Sequence, residues 1–463
     1  MEVMSAKRSA QRDAGALPIR NLDLSFLRDD VWAVEIFVGL EVPPIANLRL
    51  ALRSLAEAQP SHRLLCHFDA LAELWRPAVA PDWDRYIEEI VVDLGELESR
   101  PTSMIAEELL SHHSNSLAFQ LLVGQRTICV SATHAVGDGH YLTTVVESLL
   151  RSAWMRDAPT DLLMPPLRYA GVVAAGRYVI SQPSATAKRA STAVGRLPSR
   201  LRNAGRRRSS DVAVPQDVIV LASRSDWRFG VSSADVSADV LALVRRWRAE
   251  QTVDSSLASL WFSATVGALE TAGFRSSRSG PIVIVDCRRY AGHRRHIVGN
   301  FVASVEIPRI EASTPESLHT YLQRALHEGQ PLAELAVSYL RVRPFASRLV
   351  RQSAGVQTRH SEIGGHLSMN DPRAVAVSLS WIGSIERSWS IPWTGQDSHL
   401  MLAGTTASPA ELTVFYTEVR GALNVTVVFE TSIVDRVRVT EALRLLATDP
   451  LGFFPGPPAL APG

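Results

Sequence analysis

The chain has 463 residues, of which 46% are hydrophobic, and its formal net charge is +1. This composition excludes a disordered protein, because so much apolar sequence can form a buried core. The length fits two or three average domains or two large halves of one enzyme. The net charge indicates little by itself, but a local basic stretch on an otherwise mildly acidic chain argues against a nucleic-acid-binding domain overall.

Cysteine usage and the N-terminal sequence indicate the compartment. Cys66, Cys129 and Cys287 have no C-x-x-C spacing, so they indicate neither a disulfide framework nor a metal site. The first twenty residues lack the apolar segment of a signal peptide, and no apolar run reaches the roughly 18 residues of a membrane span. We therefore predict a cytoplasmic protein with a flexible N-terminus over residues 1–20.

The first half of the chain, residues 21–175, predicts a lobe built around one histidine. Apolar residues alternate through "LAFQLLV", "GQR" can form a loop, and a second β-rich run ends at His134, which together predict a β-hairpin. After "GDG", the apolar residues of "YLTTVVESLLRSAWM" have helical spacing. His134 is therefore expected at a strand–loop–helix junction, where enzyme side chains often meet their substrates.

A basic segment follows the first half. From Leu162 to Ser210 there are ten Lys or Arg and no acidic residue. Residues 176–214 are rich in Ser, Gly, Pro and Arg, which predicts a linker between two lobes. Such a segment is usually only solvated. The alternative is that its charge attracts the phosphates of CoA, the acidic face of a carrier protein or a membrane surface.

Residues 215–450 predict a second lobe with its own helices and strands, and residues 451–463 predict a disordered Pro/Gly-rich tail. Mixed elements in both halves predict an α/β fold of two sandwich-like lobes (an α+β sandwich). Helices are expected in "VSADVLALVRRWRAE", in "SLASLWFSATVGALETAGF" with Ser255 or Ser256 as N-cap, and in "VDRVRVTEALRLLA". Strands are expected in "PIVIVDCR", which is apolar enough to be buried on both faces, and in "AVAVSLSWI", "ELTVFYTEV" and "LNVTVVFET".

The chemistry concentrates at His134, Asp138 and Gly139, which form the pattern H-x-x-x-D-G. A histidine with a pKa near ~6.5 has a free lone pair at neutral pH and can take a proton from an attacking hydroxyl or amine. Asp138 is expected to hold the loop through an ion pair with an arginine, and Gly139 permits a close backbone approach. The alternative is an ordinary strand that ends in an Asp-Gly turn, with a purely structural histidine.

This segment resembles the H-H-x-x-x-D-G motif of the CoA-dependent acyltransferase superfamily. That group includes nonribosomal peptide condensation domains, BAHD-type and polyketide-associated acyltransferases, and wax ester synthases/diacylglycerol acyltransferases. The resemblance implies two chloramphenicol acetyltransferase-like lobes with an active-site tunnel between them. Four further segments are similar to superfamily elements in the same order: "LDLSFL", "TVDSSLASLWFSATVGAL", "VDCRRYAGHRRHIVGNF" and "VSLSWIG".

The resemblance also implies roles for individual residues. His134 corresponds to the general base, Asp138 to the structural aspartate, and Arg288 to the partner that ties the loop to the second lobe. Thr133 replaces the first histidine of the motif, but strand alternation puts it on the face opposite His134, so the base is retained. The positions expected to line the substrate site are Thr133, Gly139, Arg288, Gly299, Asn300, Ser378 and Ser380.

The implied activity is transfer of an acyl group from a CoA thioester to a hydroxyl or amine of a lipid or natural-product acceptor. The thioester is a co-substrate, so the resemblance implies no further cofactor, no nucleic acid and at most peripheral membrane association. Two alternatives stay open. The donor can be the thioester of a carrier protein, as in a free-standing condensation enzyme, or the chain can be a degenerate relative that binds a ligand without catalysis.

Overall fold

The computed structural model describes residues 16–454 with gaps at residues 20, 70–73, 79–81, 96–98, 112–116, 168, 184–226, 251–254, 277–279, 293–296, 313 and 339–373. Parts of three predicted segments lie outside the described residues. They are most of the N-terminal segment (1–15 and 20), the linker from residue 184 onward, and the tail from residue 455 onward.

The described strands form three sheets, of five, seven and three strands. In chain order the strands are β1 (Leu17–Pro18), β2 (Trp32–Val38), β3 (Cys66–Asp69), β4 (Leu74–Pro77), β5 (Val91–Gly95), β6 (Phe119–Gly124), β7 (Thr127–Thr133), β8 (Phe229–Val236), β9 (Arg275–Ser276), β10 (Ile282–Asp286), β11 (Val302–Glu306), β12 (Ala374–Ser384), β13 (His399–Gly404), β14 (Glu411–Val419) and β15 (Ala422–Glu430).

Helices cover the outer faces of the two larger sheets. In chain order they are α1 (Asn21–Arg28), α2 (Ile45–Ala58), α3 (Trp83–Ile90), α4 (Thr102–Ser111), α5 (Gly139–Met155), α6 (Thr160–Leu163), α7 (Ala170–Ser181), α8 (Ala238–Glu250), α9 (Leu257–Thr271), α10 (Arg288–Ala291), α11 (Pro315–His327) and α12 (Arg436–Thr448). Residues 330–338 are also helical. Within the described part of the chain, no helix has the length and hydropathy needed to cross a membrane.

The first lobe is built on the five-stranded sheet, with strand order β13-β2-β7-β6-β5. The predicted hairpin is confirmed, because β6 and β7 pair antiparallel and the chain then continues through His134 into α5. Every residue of β7 is buried, because the strand lies between two apolar layers. Ile128 and Val130 join the core that contains α2 and α5, whereas Cys129 joins a second cluster that contains α4.

The second lobe is built on the seven-stranded sheet, with order β11-β10-β12-β14-β15-β8 and β9 beside β12. The second-lobe segments predicted from the sequence correspond to β10, β12, β14, β15, α8, α9 and α12. The predicted N-cap of α9 is Ser256, whose side chain accepts a hydrogen bond from the Ser259 backbone N–H. One face of this sheet packs on α9, α11 and α12 in a common apolar core.

Strand β10 differs from its prediction as a strand buried on both faces. Its burial alternates, with Val283 and Val285 in the core and Ile282, Ile284 and Asp286 half-buried. The half-buried residues lie on the sheet face that carries Ile382 and Phe415, which pack against the first-lobe core. That face is therefore turned toward the other lobe, which explains its partial exposure.

The first sheet contains a strand from the second half of the chain. Strand β13 pairs antiparallel with β2, from His399 opposite Val38 to Gly404 opposite Ala33. The segment before it also belongs to the first lobe, since the Ser390 N–H donates to Glu147 and the Thr394 N–H donates to Gly39 O. The division of the chain into residues 21–175 and 215–450 stays a prediction, but the sequence analysis did not anticipate this exchange of a strand.

The segment predicted as a linker from residue 176 starts inside helix α7. The helix was not predicted, because the residue that it buries is a small alanine and not part of an apolar stripe with helical spacing. Ala174 is fully buried beside Cys287 and Ala291 of the second lobe, and the Tyr178 hydroxyl donates to His327 O. Helix α7 therefore packs on the second lobe before the chain leaves the described residues.

The segment predicted as a tail from residue 451 begins with a 3₁₀ turn over Pro450–Phe453. Phe454 is 7% exposed, and its ring lies 4.8 Å from the ring of Trp247 on α8. Burial of this aromatic side chain holds the start of the segment on the second lobe despite its glycine and prolines.

The strand exchange predicts that a substitution in β13 weakens the first lobe. Leu400 is fully buried in the first-lobe core, so Leu400→Ala should lower the free energy of unfolding by about 2–5 kcal/mol. Amide hydrogen exchange should speed up in β2. The exposed Val437→Ala on α12 is the control and should change stability by less than about 0.5 kcal/mol. Faster exchange confined to β14 and β15 would contradict the exchanged-strand topology.

Candidate active site

His134 lies directly after β7, where the first sheet meets α5. Its backbone N–H donates to Val31 O at 2.7 Å, which extends the pairing of β2 and β7 by one residue. Its ring is 4.4 Å from the ring of Phe26 on α1, at 30° between planes. The residue is partly buried and its ring Nδ1 is fully buried. Strand and ring contact together fix the direction of the imidazole.

The electrostatic surroundings keep His134 neutral. Burial lowers the pKa of the imidazole below its ordinary value of 6.5, since a charged ring would lose its hydration. Asp138, Asn300, the carbonyl of His134 itself and Asp23 favour the charged ring, but they do not outweigh burial. At neutral pH the ring therefore carries a lone pair on one nitrogen, as a general base requires.

Asp138 is buried and accepts three hydrogen bonds, so it is not a second base. Its Oδ1 accepts from the Tyr141 N–H at 3.1 Å and caps α5, while its Oδ2 accepts from Arg288 Nη1 at 2.7 Å and from the Phe301 N–H at 2.8 Å. Burial alone would raise the pKa of Asp138, but the attraction of Arg288 outweighs it and holds that pKa below 3.8. Asp138 is therefore a carboxylate that joins the two lobes.

Arg288 is the partner expected from the sequence, and its side chain is 0% exposed. Besides Asp138, its guanidinium donates to Ile297 O and to Gly299 O, the latter at 2.7 Å. Asp286 also accepts from it at 3.3 Å. One buried cation thus gathers the His134 loop and the 297–301 loop, which carries the predicted Gly-Asn pair.

Gly299 and Asn300 lie against the His134 loop. Gly299 has φ of +87°, and a Cβ there would come within 2.8 Å of Arg63 Nη1, which donates to Ala135 O and Val136 O. Asn300 Nδ2 donates to His134 O at 2.6 Å and to Asp23 Oδ1 at 3.0 Å. Asp23, in the "LDLSFL" segment, thereby joins the site, although no role was predicted for it from the sequence.

Thr133 and Gly139 flank the catalytic candidate on either side. Thr133 is buried, and its hydroxyl lies 3.5 Å from Val31 O and 3.4 Å from the Ala135 N–H, so it supports the strand end. Gly139 opens α5, and a Cβ added there would meet only Glu35 Oε1, at 3.4 Å. A side chain at position 139 would therefore press on the buried Glu35 carboxyl group.

Ser378 and Ser380 lie on β12, on the sheet face turned toward the first lobe, and both are buried. The Ser378 hydroxyl donates to Glu411 Oε1 at 2.5 Å, and Glu411 Oε2 accepts from the Ala407 and Ser408 N–H groups. Ser378 therefore stabilises the turn before β14. No hydrogen bond of the described residues joins either serine to His134, and their role at the substrate stays a prediction.

Glu35 is a buried acid that the sequence analysis missed. It is 1% exposed on β2 beneath the start of α5, and Thr143 Oγ1, at 3.0 Å from Oε2, is the only hydrogen-bond partner of its carboxyl group within the described part of the chain. Burial raises the pKa of Glu35 well above 4.5, which the Thr143 hydrogen bond only partly offsets. The sequence feature that could have indicated this buried acid is the single charged residue within the apolar strand "WAVEIFV".

A second pair links the lobes near His134. His140 Nδ1 on α5 lies 3.7 Å from Asp286 Oδ2 at the end of β10, and the His140 ring lies 4.9 Å from the ring of Trp389. His140 and Asp138 thus engage Asp286 and Arg288, respectively. No role was predicted for His140 from the sequence, although this residue follows Gly139 directly.

A cavity of ≈ 250 Å³ lies between β1, β4 and the 297–301 loop. Its lining is mainly apolar, with Trp75, Leu162 and Val298, and Arg63 at one end. Arg63 also touches the carbonyl groups that follow His134. The tunnel between the lobes that the resemblance implies stays a prediction. Among the described residues, no group of three or more His, Cys, Asp or Glu could hold a metal ion.

The buried pair predicts a large effect of Asp138→Asn. This change leaves the Arg288 charge buried without its partner, so the free energy of unfolding should fall by about 3–5 kcal/mol. The matched control is Asp84→Asn, which breaks an exposed ion pair with Arg53 and should cost about 1 kcal/mol or less. Equal effects of the two changes in thermal and denaturant unfolding would refute the central role of the buried pair.

Glu35→Gln should stabilise the protein at high pH. Since the pKa of Glu35 is raised by folding, the native state binds more protons than the unfolded state above pH 4.5, and stability falls as pH rises through the raised value. A neutral glutamine removes this loss, so the gain in melting temperature should grow from pH 5 to pH 8. The control is Glu441→Gln, at an exposed helix position. A gain independent of pH would contradict burial of the Glu35 carboxyl group.

The chain is similar to known proteins in its three-dimensional structure but not detectably in its sequence. No protein-family model matches the chain. No curated protein matches it by sequence.

Several solved structures have a similar fold. The TRI3 trichothecene 15-O-acetyltransferase of Fusarium sporotrichioides matches with a TM-score of 0.55 at 13% identity, over 94% of each chain. TRI101 of the same fungus, in complex with coenzyme A and T-2, matches with a TM-score of 0.51 at 12% identity, over 94% of this chain and 97% of that one. The nonribosomal peptide synthetase FmoA3 matches with a TM-score of 0.52 at 13% identity, over 95% of this chain and 44% of that one.

At these identities the likeness concerns the fold, and it extends over nearly the whole chain. The chain therefore shares the two-lobed fold of these solved acetyltransferase and peptide synthetase structures.

Proposed function

We propose that the protein is an acyltransferase that moves an acyl group from a CoA thioester to a hydroxyl or amine of a lipid or natural-product acceptor. The observation that carries this proposal is the neutral imidazole of His134, held at the strand end beside a loop that the buried Asp138–Arg288 pair locks. The likeness of the fold to two acetyltransferases, one of them in complex with coenzyme A, supports a CoA donor.

In the proposed reaction His134 takes the proton of the acceptor hydroxyl or amine as its oxygen or nitrogen attacks the thioester carbonyl carbon. A tetrahedral intermediate forms, its carbon–sulfur bond breaks, and the departing thiolate takes the proton back from the imidazolium. Ester or amide and free thiol result, and His134 ends as it began. The lowered pKa of His134 suits the first step, because the unprotonated ring is available at neutral pH.

Asp138 supports this chemistry by holding the loop that follows His134 in place. Its two oxygens are occupied by Tyr141, Arg288 and Phe301, so it does not contact a reacting group. It holds the turn that follows His134 and the start of α5. Loss of Asp138 should therefore reduce activity and thermal stability together.

A second candidate is a condensation-type enzyme that takes its acyl group from a carrier protein. The structural likeness to the nonribosomal peptide synthetase FmoA3 favours it. The two candidates differ in the donor, so each donor is tested in turn with the same acceptor panel. Acyl-CoAs and acyl-carrier thioesters are incubated with the protein and cell extract, and free thiol and acylated products are followed by mass. Turnover with acyl-CoA alone supports the first candidate, and turnover with the carrier thioester alone supports the second.

His134→Ala should lower kcat/KM by about 10²–10⁴-fold, since this is the usual contribution of a general base. Thermal unfolding should change little, because the side-chain Nδ1 has no hydrogen-bond partner among the residues that the structure describes. For the unaltered protein, kcat/KM should fall only below pH 6.5, as the lowered pKa of His134 requires. The control is His399→Ala, at the start of β13. A His134→Ala protein with near-full activity would refute the mechanism.

A further inference from the structure

Among the described residues, two buried polar atoms beside the proposed base have no hydrogen-bond partner. They are His134 Nδ1 and Asn300 Oδ1, and the two residues are already joined through Asn300 Nδ2 and His134 O at 2.6 Å. Asn300 is 4% exposed. Most buried polar atoms in folded proteins are hydrogen-bonded, so two unpaired atoms on adjoining residues indicate a function.

The surroundings of Asn300 fix the orientation of its side-chain amide. Its Nδ2 donates to two oxygens, His134 O and Asp23 Oδ1, the latter at 3.0 Å. The flipped amide would set Oδ1 against these same two acceptors, which is repulsive. Asp23 is itself held by Arg63, whose Nη1 lies 3.5 Å from Asp23 Oδ2. The carbonyl oxygen of Asn300 is therefore the end of the amide that stays available.

We propose that Asp23 and Asn300 are positioning residues that set the tautomer of His134. Asn300 Oδ1, which is unpaired beside the ring, favours a proton on Nδ1 already in the free protein, and the lone pair is left on Nε2, where it acts as the base. An amide oxygen can only accept, so it tolerates a protonated Nδ1 and rejects the other tautomer. Catalytic hydrogen bonds that are open in a free enzyme often close in its substrate complex.

The proposed pair acts across both lobes and rests on the proposed function of His134. Asp23 belongs to α1 of the first lobe, whereas Asn300 belongs to the 297–301 loop of the second lobe. Arg288 holds that loop through Ile297 O and Gly299 O. The base is therefore prepared for catalysis only where the two lobes meet.

The tautomer can be measured without substrate. Long-range ¹H–¹⁵N correlation spectra of the full chain labelled with ¹⁵N-histidine show which ring nitrogen carries the proton, and His134→Gln identifies the signals of His134. We expect the proton on Nδ1 in the unaltered protein and a mixture of tautomers in Asn300→Ala. Asp23→Asn keeps the size of the side chain but frees the Asn300 amide to turn, so it should show the same change to a smaller extent.

Activity with an acyl thioester provides the second readout. Asn300→Ala should lower kcat by about tenfold or more with little change in KM, since it affects the base rather than substrate binding. The matched control is Asn424→Ala. Asn424 is also 4% exposed in the second lobe and donates to an aspartate, Asp235, at 2.8 Å. The control should lose stability and keep both the tautomer and kcat.

The inference is overturned if the proton of unaltered His134 lies on Nε2, or if Asn300→Ala keeps the tautomer unchanged. It is also overturned if Asn424→Ala shifts the tautomer as much as Asn300→Ala does, since the effect would then follow from lost stability. Absence of acyl transfer with every donor would refute the proposed function, whereas the spectra would still decide the tautomer. The two failures are therefore distinguishable.

Discussion

The ion pair between Arg288 and Asp138 is the contact on which the candidate site depends. Its 2.7 Å hydrogen bond joins two side chains that are almost completely buried and that come from different lobes. A buried ion pair gains little net stability over an apolar contact, because both charges lose their hydration. It does impose one arrangement on the two loops that carry the charges. Either charge would be costly to bury without the other, so the loops must meet.

That arrangement extends to both sides of His134. On one side Asp138 caps α5 and so ends the turn that follows the histidine. On the other side Arg288 binds the carbonyl groups of residues 297 and 299, and the next residue, Asn300, contacts the carbonyl oxygen of His134. A single cation thus determines how the second lobe meets the proposed base. The backbone of His134 is thus held from both lobes, so the residue keeps its position although its ring makes few polar contacts.

The sequence predicted the parts of this arrangement that depend on local patterns. Alternation and helical spacing located the β6–β7 hairpin and α5, and the H-x-x-x-D-G pattern with "VDCRR" led to Asp138 and Arg288. Contacts between distant segments were beyond reach. Nothing in "HLMLAG" shows that this strand pairs with β2, more than 360 residues earlier. The role of Asp23 depends on a loop 277 residues away. The linker predicted from residue 176 overlaps the second half of α7, because an alanine, rather than an apolar stripe, makes the buried contact of this helix.

The late strand β13 has a consequence for how the chain acquires its structure. The ribosome synthesises the chain from its N-terminus, so β2 emerges long before β13, which covers its edge. Until residue 404 has been synthesised, one side of β2 presents unpaired backbone groups, a template for association with other chains. Contacts so distant in sequence also slow folding, because a long loop must close before they form. A newly made first lobe therefore has an uncovered strand edge until β13 has been synthesised.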